Sequence, residues 1–330
     1  MEKQWEWNTP LKFSLMFISS FLVAMTIVLM SMDQVELHSL IDAGRSAFFT
    51  FANPNPSSIS PNSNSTSSSC PCDPPKKFTE KTNFPAPKFR MLMGILTRPG
   101  SYNGRNLLRL AYSTQTTNVA EIDVKFVICN VTDGNDRVIV ALEIMKFNDI
   151  IILQCSENMD KGKTYTYFSS LPAMLSQPYD YVMKTDDDMY FRLDVLARSL
   201  DPLPRTDFYY GRVIPCKSTD PFFGYMGGMG YILSWDLVEW IGISNITRNH
   251  AEGFEDKLVS EWFNEGNRAK NRFTATPRMY DVPGLTTCSH EYMPDTIGVH
   301  RLKNKRTWAQ VLRYFNVTDG VKPSKMYHLL

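Results

Sequence analysis

Almost no net charge is left on this 330-residue chain: 35 Lys and Arg stand against 34 Asp and Glu, a formal +1. The missing basic excess argues against a dedicated nucleic-acid binder, which needs clustered Lys and Arg for phosphate contacts. Cysteine is scarce as well. Six residues are too few for a disulfide scaffold. The Cys70-Pro71-Cys72 pair is too closely spaced for a typical structural zinc knuckle and carries no second half. No internal repeat is visible, so a repeat architecture is excluded. What remains is a globular composition, 43% hydrophobic and 21% charged, long enough for one large domain or two ordinary ones.

Charge is also missing locally. Between Lys12 and Asp33 no residue is charged, and 13–32 is rich in Phe, Leu, Ile, Val and Met. At about 1.5 Å per helical residue this run spans roughly 30 Å, the thickness of a bilayer core. A cleaved signal peptide would have a shorter apolar region followed by small residues; Ser31-Met32-Asp33-Gln34 does not fit. The expectation is an uncleaved signal-anchor at 13–32. Lys3 and Lys12 precede it, and Asp33 and Glu36 follow. The positive-inside rule then makes 1–12 a cytosolic tail and puts the rest in the lumen. Residues 53–69 are Ser, Asn and Pro with little apolar content, so 33–88 is expected to be a flexible lumenal stem. Four Asn-x-Ser/Thr acceptors, at Asn64, Asn130, Asn245 and Asn316, are consistent with that topology. In an oxidising lumen Cys129, Cys155, Cys216 and Cys288 are disulfide candidates, with pairings that sequence does not fix.

From residue 89 to 330 a catalytic-sized domain is expected. Strand patterns at 89–97, 124–129 and 149–153 alternate with helix patterns at 103–114, 137–147 and 164–175. The helix at 137–147 is expected to place Val138, Leu142 and Met145 in the core, and Pro172 to kink the third helix. Such alternation implies an α/β fold, a parallel sheet with helices on both faces. A fourth strand, from Tyr181, runs into Asp186-Asp187-Asp188. Three adjacent carboxylates repel unless something positive compensates them. Hard divalent cations do this, and ligands of open α/β sheets sit beyond the carboxyl ends of strands. A metal–diphosphate site is one reading; a solvated acidic turn is the other.

Three further stretches bear on that choice. In 222–234, Gly227, Gly228 and Gly230 lie among aromatics; they suit close approach of a ligand to the backbone or a bulged strand and turn. Ser234 is a plausible cap for the helix that follows. Glu255 and Asp256 fall in the first turn of a predicted helix, where the dipole favours carboxylates; a general base aimed at the site is compatible with that. His300 is either structural or completes a cation's shell.

Taken in order, these segments resemble glycosyltransferase family 31, the β-1,3-galactosyltransferase group in its plant form. The matching pieces are Arg105 to Tyr112 for its arginine-rich first helix, Phe126-Val127-Ile128 for its second strand, and Lys161 to Tyr165 for its lysine-threonine helix start. Lys184-Thr185-Asp186-Asp187-Asp188 matches its metal motif, Tyr225 to Ser234 its glycine-aromatic loop, and Glu255-Asp256 its acidic pair. The chain departs from the pattern at Ala111-Tyr112, Lys257 and Ser260 and lacks prolines before the glycines, which leaves donor sugar and acceptor open.

The resemblance implies a GT-A type fold, Rossmann-like and mostly parallel. It implies inverting, Mn²⁺- or Mg²⁺-dependent transfer of a hexose from a UDP-sugar, most simply UDP-galactose in β-1,3 linkage, to a glycan or glycoprotein acceptor at the Golgi membrane. Asp188 is the expected direct metal ligand, His300 a second, and Asp186 serves the metal or the donor. Asp256 is the expected base, ahead of Glu255. Arg105, Arg109, Lys163, Asp187, Gly227 and Gly228 are donor-binding candidates. Transferases of this type often dimerise, so a homodimer is a candidate assembly. Another UDP-sugar donor, or a silent membrane-anchored carbohydrate-binding protein, are the competing readings.

Overall fold

The computed structural model describes residues 86–320. The tail at 1–12, the anchor at 13–32, the stem up to residue 85, Asn64 and the Cys70-Pro71-Cys72 pair lie outside the described residues. Among the described residues no helix is long and apolar enough to cross a membrane.

The first strand, β1 (Phe89–Leu96), is buried along its length apart from Arg90. Its side chains alternate between two cores, as a period of two requires. Met91, Met93 and Ile95 enter one core, Leu92 and Leu96 the other. β1 pairs in parallel with β2 (Ala120–Cys129) on one side and with β4 (Tyr181–Asp186) on the other. β3 (Ile150–Leu153) adds outside β2, also in parallel. The chain thus steps outward from β1 to β3, then returns across β1 to lay down β4. That reversal opens a crevice beyond the carboxyl ends of β1 and β4, where such sheets bind ligands. Leu96 and Asp186 are register partners there.

The sheet continues with β7 (Tyr225–Ser234), antiparallel to β4, then β6 (Phe208–Ile214) and β8 (Asn271–Thr274), in the order β3-β2-β1-β4-β7-β6-β8. The glycine-aromatic segment is therefore an interior strand. Its alternating apolar residues serve both cores, Met229 and Ile232 one, Met226, Tyr231 and Leu233 the other. A small second sheet, β5 (Tyr190–Phe191), β10 (Gly298–His300) and β9 (Met279–Asp281), stands beside the acidic triplet.

Helices cover both faces, as expected. α1 (Tyr102–Ser113), α4 (Leu193–Leu200) and α8 (Lys305–Tyr314) pack on one core. α3 (Lys163–Met174), α5 (Trp235–Ile243) and α7 (Glu255–Glu265) pack on the other. Pro172 lies within α3, which continues to Met174. Ser234 does not cap α5; its Oγ accepts from the Phe208 amide instead, 2.9 Å away. A five-residue turn of helix, α6 (Asn245–Asn249), follows. Disulfides join Cys129 to Cys155 and Cys216 to Cys288.

α2 (Gly134–Phe147) has the opposite face inward from the one its apolar spacing predicts. Val138, Leu142 and Met145 are 61%, 57% and 83% exposed, while Val140 and Glu143 are buried. The cause is electrostatic. Glu143 accepts Arg105 Nε and Nη2 at 2.9 and 2.6 Å and Arg109 Nη1 at 2.6 Å. Two guanidiniums on α1 draw the carboxylate inward, and the apolar residues between its turns are left outside. Replacing Glu143 by Ala leaves a fully buried Arg105 charge without its partner. We expect a loss of about 3–5 kcal/mol in unfolding free energy, measured by chemical denaturation.

Candidate active site

The strand β4 is buried up to Thr185 and ends in Asp186, and the chain then turns through Asp187 and Asp188. The three carboxylates separate in direction. Asp187 accepts from Thr97 Oγ1 at 2.6 Å, which turns it toward the loop after β1. Asp186 and Asp188 face His300, and ligand atoms of all three lie within 4.8 Å of one another. The small sheet makes this meeting possible. β10 pairs with β5, which begins two residues after Asp188, and the Leu302 amide donates to the Asp188 carbonyl at 2.9 Å. His300 Nε2 stands 3.3 Å from Asp188 Oδ1 and 3.9 Å from Asp186 Oδ2. Its Nδ1 is 2.7 Å from Asp281 Oδ1.

Cations already gather there. Lys303 Nζ, on an exposed side chain, lies 2.5 Å from Asp188 Oδ2, yet that buried oxygen has no aligned hydrogen bond. Burial would raise the Asp188 carboxyl, but His300 and Lys303 outweigh it and hold it well below the usual range. Burial would lower His300, but Asp188 and Asp281 push it up to about 9.

A second charge system adjoins the first. Lys184, inside β4 and 1% exposed, places Nζ 3.0 Å from Asp186 Oδ1, 2.9 Å from Glu255 Oε2 and 3.8 Å from Asp256 Oδ1. It also donates to the Gly228 carbonyl at 3.2 Å. Glu255 has both oxygens engaged, since Tyr231 donates to Oε1 at 2.6 Å. Burial would raise Glu255, but Lys184 keeps it low. Asp256 is different. Its Oδ1 is buried without a hydrogen-bond partner, and burial followed by the Glu255 contact raises it. Of the acidic pair, Asp256 is the one whose charged form is disfavoured.

Two of the expected donor contacts are corrected. Arg105 is fully buried; besides Glu143 it donates to the Arg98 and Pro99 carbonyls at 2.6 and 2.8 Å. Arg109 forks onto Asp149 at 2.8 and 2.8 Å. Both act on the fold, Arg105 by shaping the loop that walls the crevice. Gly228 does not leave room for a sugar either. A Cβ there would collide with the Asp256 carboxylate, and one at Gly227 would press on Ile214. Lys163 does line the crevice, with Thr97, Arg98, Glu157 and Asp186 to Asp188, but it is buried, paired with Glu157 and bonded to the Thr97 carbonyl at 2.6 Å. The sequence-based expectations assigned no role to Lys184, Lys303, Asp281 or Thr97. A lysine inside an otherwise apolar strand was the one available signal, and it pointed to Lys184.

The His300–Asp188 pair ties metal-free stability to pH. A raised histidine contributes fully below its unfolded value near 6.5 and loses that contribution as pH rises through about 9. A lowered aspartate contributes above its unfolded value near 3.9 and loses the contribution as pH falls. The melting-temperature advantage of the metal-free wild type over His300→Gln should therefore shrink between pH 6.5 and about 9. A constant difference across that range would refute the pairing.

Residues 103–220 match the family model described as Galactosyltransferase. The chain is 24% identical over 287 residues to the β-1,3-galactosyltransferase pvg3 of Schizosaccharomyces pombe, covering 69% of this chain and 75% of that protein. Among solved structures it is similar to the mannosyltransferase PcManGT from Pyrobaculum calidifontis in complex with GDP-Man and Mn²⁺, at 13% identity and a TM-score of 0.41, covering 73% and 68% of the two chains. Mouse xyloside xylosyltransferase 1 is similar at 9% identity and a TM-score of 0.38, covering 66% and 98%. Residues 103–220 thus resemble the galactosyltransferase family.

Proposed function

We propose that this chain is an inverting, metal-dependent hexosyltransferase of GT-A type. It moves galactose from UDP-galactose, in β-1,3 linkage, to a glycan or glycoprotein acceptor, from a single-pass type II position in the Golgi membrane. The observation that carries this reading is the adjacency of two charge systems joined by Lys184, whose Nζ lies 3.0 Å from Asp186 and 3.8 Å from Asp256. A cluster of Asp186, Asp188 and His300 adjoins an aspartate, Asp256, with an unpartnered oxygen. The name of the fungal relative supports the choice of galactose and linkage. The apolar run at 13–32 supports the anchor.

The residues fit Mn²⁺ or Mg²⁺. Two carboxylates are hard donors and one imidazole is a borderline donor that suits Mn²⁺ better than Mg²⁺, and the Asp188 Oδ2 atom is buried without an aligned hydrogen bond. Asp188 and His300 would hold the ion directly, with Asp186 as ligand or bonded to its water. A bound cation supplies Lewis-acid neutralisation of the diphosphate leaving group. The chain does the rest. Lys303, already drawn to this charge cluster, is placed to accompany the phosphates. Thr97 holds Asp187 at the crevice wall. Asp256 accepts the acceptor hydroxyl's proton as the new glycosidic bond forms. Lys184 keeps the neighbouring Glu255 ionised, and that negative charge helps raise Asp256 toward the basicity the step requires.

Asp256→Asn should lower kcat by about 10²- to 10⁴-fold while UDP and Mn²⁺ still bind. In the wild type kcat/KM should rise with pH, with a midpoint well above the ~4 of a free aspartate. Gly228→Ala should act like the Asp256 variant, because a methyl group there occupies the carboxylate's place. Full transfer activity in either variant would reject Asp256 as base.

Donor identity is tested with the full chain in detergent and a panel of UDP-sugars. UDP-galactose should be used in preference, and only with a divalent cation. Use of UDP-N-acetylglucosamine instead would reassign the donor. Neither turnover nor UDP binding would leave a carbohydrate-binding protein.

A further inference from the structure

His300 belongs to the cation site by its Nε2 edge, but its ring is held from the other side. β9 and β10 are parallel neighbours, and their register sets Asp281 directly opposite His300. Asp281 is 3% exposed. Its two oxygens have different partners. Oδ1 lies 2.7 Å from His300 Nδ1, while Oδ2 accepts from Thr286 Oγ1 at 2.5 Å and from Arg301 Nε at 3.1 Å. A carboxylate pinned at both oxygens cannot swing, so the ring it holds cannot either.

The backbone that presents Asp281 is itself fastened. The Asp281 amide donates to the Cys288 carbonyl at 3.2 Å. Ser289 Oγ accepts from the Leu285 and Thr286 amides and donates to the Val282 carbonyl. Cys288 is bridged to Cys216 in the connection between β6 and β7.

We propose that Asp281 is the positioning residue of the cation site: it fixes the His300 ring with Nδ1 protonated and Nε2 presented to the ion. Both ring nitrogens face carboxylates, which can only accept, but Asp281 stands at 2.7 Å from Nδ1 and Asp188 at 3.3 Å from Nε2; the shorter contact takes the hydrogen of the neutral ring to Nδ1 and leaves the Nε2 lone pair for a metal. An outer partner of this kind also increases the basicity of the coordinating nitrogen, and its loss typically costs 10- to 100-fold in metal affinity. A merely structural aspartate would hold the turn at 282–289 and leave the tautomer and the metal unaffected. This inference rests on the cation reading of Asp186, Asp188 and His300 given above.

The test uses the full chain in detergent, without donor or acceptor, and follows Mn²⁺ binding through the free-ion electron paramagnetic resonance signal. Asp281→Asn should weaken Mn²⁺ binding by about 10- to 100-fold, because an amide can present N–H to Nδ1 and favour the wrong tautomer. Ser289→Ala, which loosens the same turn without touching the ring, should bind Mn²⁺ near the wild-type affinity. Wild-type affinity in Asp281→Asn, or equal weakening in Ser289→Ala, overturns the positioning role and leaves the cation reading standing. No Mn²⁺ binding by the wild type overturns the cation reading, and this inference with it. A second measurement is independent of how the variants fold. In the metal-free wild type, ¹⁵N-histidine labelling at a pH high enough to neutralise the ring should show His300 as the Nδ1–H tautomer. An Nε2–H tautomer overturns the proposal.

Discussion

One buried ammonium holds the catalytic half of this structure together. Lys184 lies inside β4 with Asp186, Glu255, Asp256 and the Gly228 carbonyl around it. A lysine in that position would be costly without partners, and three carboxylates so placed would repel one another without the lysine. Each therefore makes the other tolerable. Burial works against the Lys184 charge, but Asp186 and Glu255 overcome it and keep the lysine protonated. The Tyr231 ring lies 5.6 Å from Nζ and its hydroxyl closes on Glu255. β4, β7 and the first turn of α7 are thereby joined through side chains as well as through the sheet, and the two halves of the site share one electrostatic centre.

The architecture around that centre follows from where the chain reverses. β1 to β3 build outward, β4 returns, and the opening between β1 and β4 is lined by whatever follows each strand. After β1 that is the Thr97–Pro99 loop, shaped by Arg105; after β4 it is the acidic triplet. The antiparallel β7 then brings Gly228 under Asp256, where the absence of a side chain is what admits the carboxylate. The three-stranded sheet supplies His300 from far along the chain. Each of the site's functional groups stands at the end of a strand, on the first turn of a helix or in a short connection beside one, so rigid elements set the spacing.

Much of this was legible beforehand, and the exceptions share a cause. The alternating pattern placed β1, β3, α1 and α3 near their observed limits because hydrophobic period is a local property, while β2 begins four residues before the expected 124. The triplet, Glu255-Asp256 and His300 were readable because charge at a strand end or a helix start is conspicuous. Arg105 and Arg109 were read as donor contacts because guanidiniums pair with phosphates and the helix resembles the family's arginine-rich one, and nothing local revealed that Glu143 and Asp149 would meet them. The same ion pairs inverted α2, where a buried glutamate inside an apolar stretch defeats any reading based on polarity. Gly228 was read as room for a ligand when the occupant comes from α7. In each case the deciding partner is distant in sequence, and one-dimensional pattern carries no information about it.

The two disulfides have a consequence for the loops beside the crevice. Cys129–Cys155 lies just ahead of Glu157, which accepts the Cys129 amide at 3.0 Å and pairs with Lys163 on the crevice wall. Cys216–Cys288 fastens the turn that presents Asp281. Neither bridge is needed to form the hydrogen bonds of the central sheet, but each secures a loop on the business side of it. Both bridges therefore tie loops beside the crevice to the scaffold, and disulfides of this kind persist in compartments that oxidise cysteine.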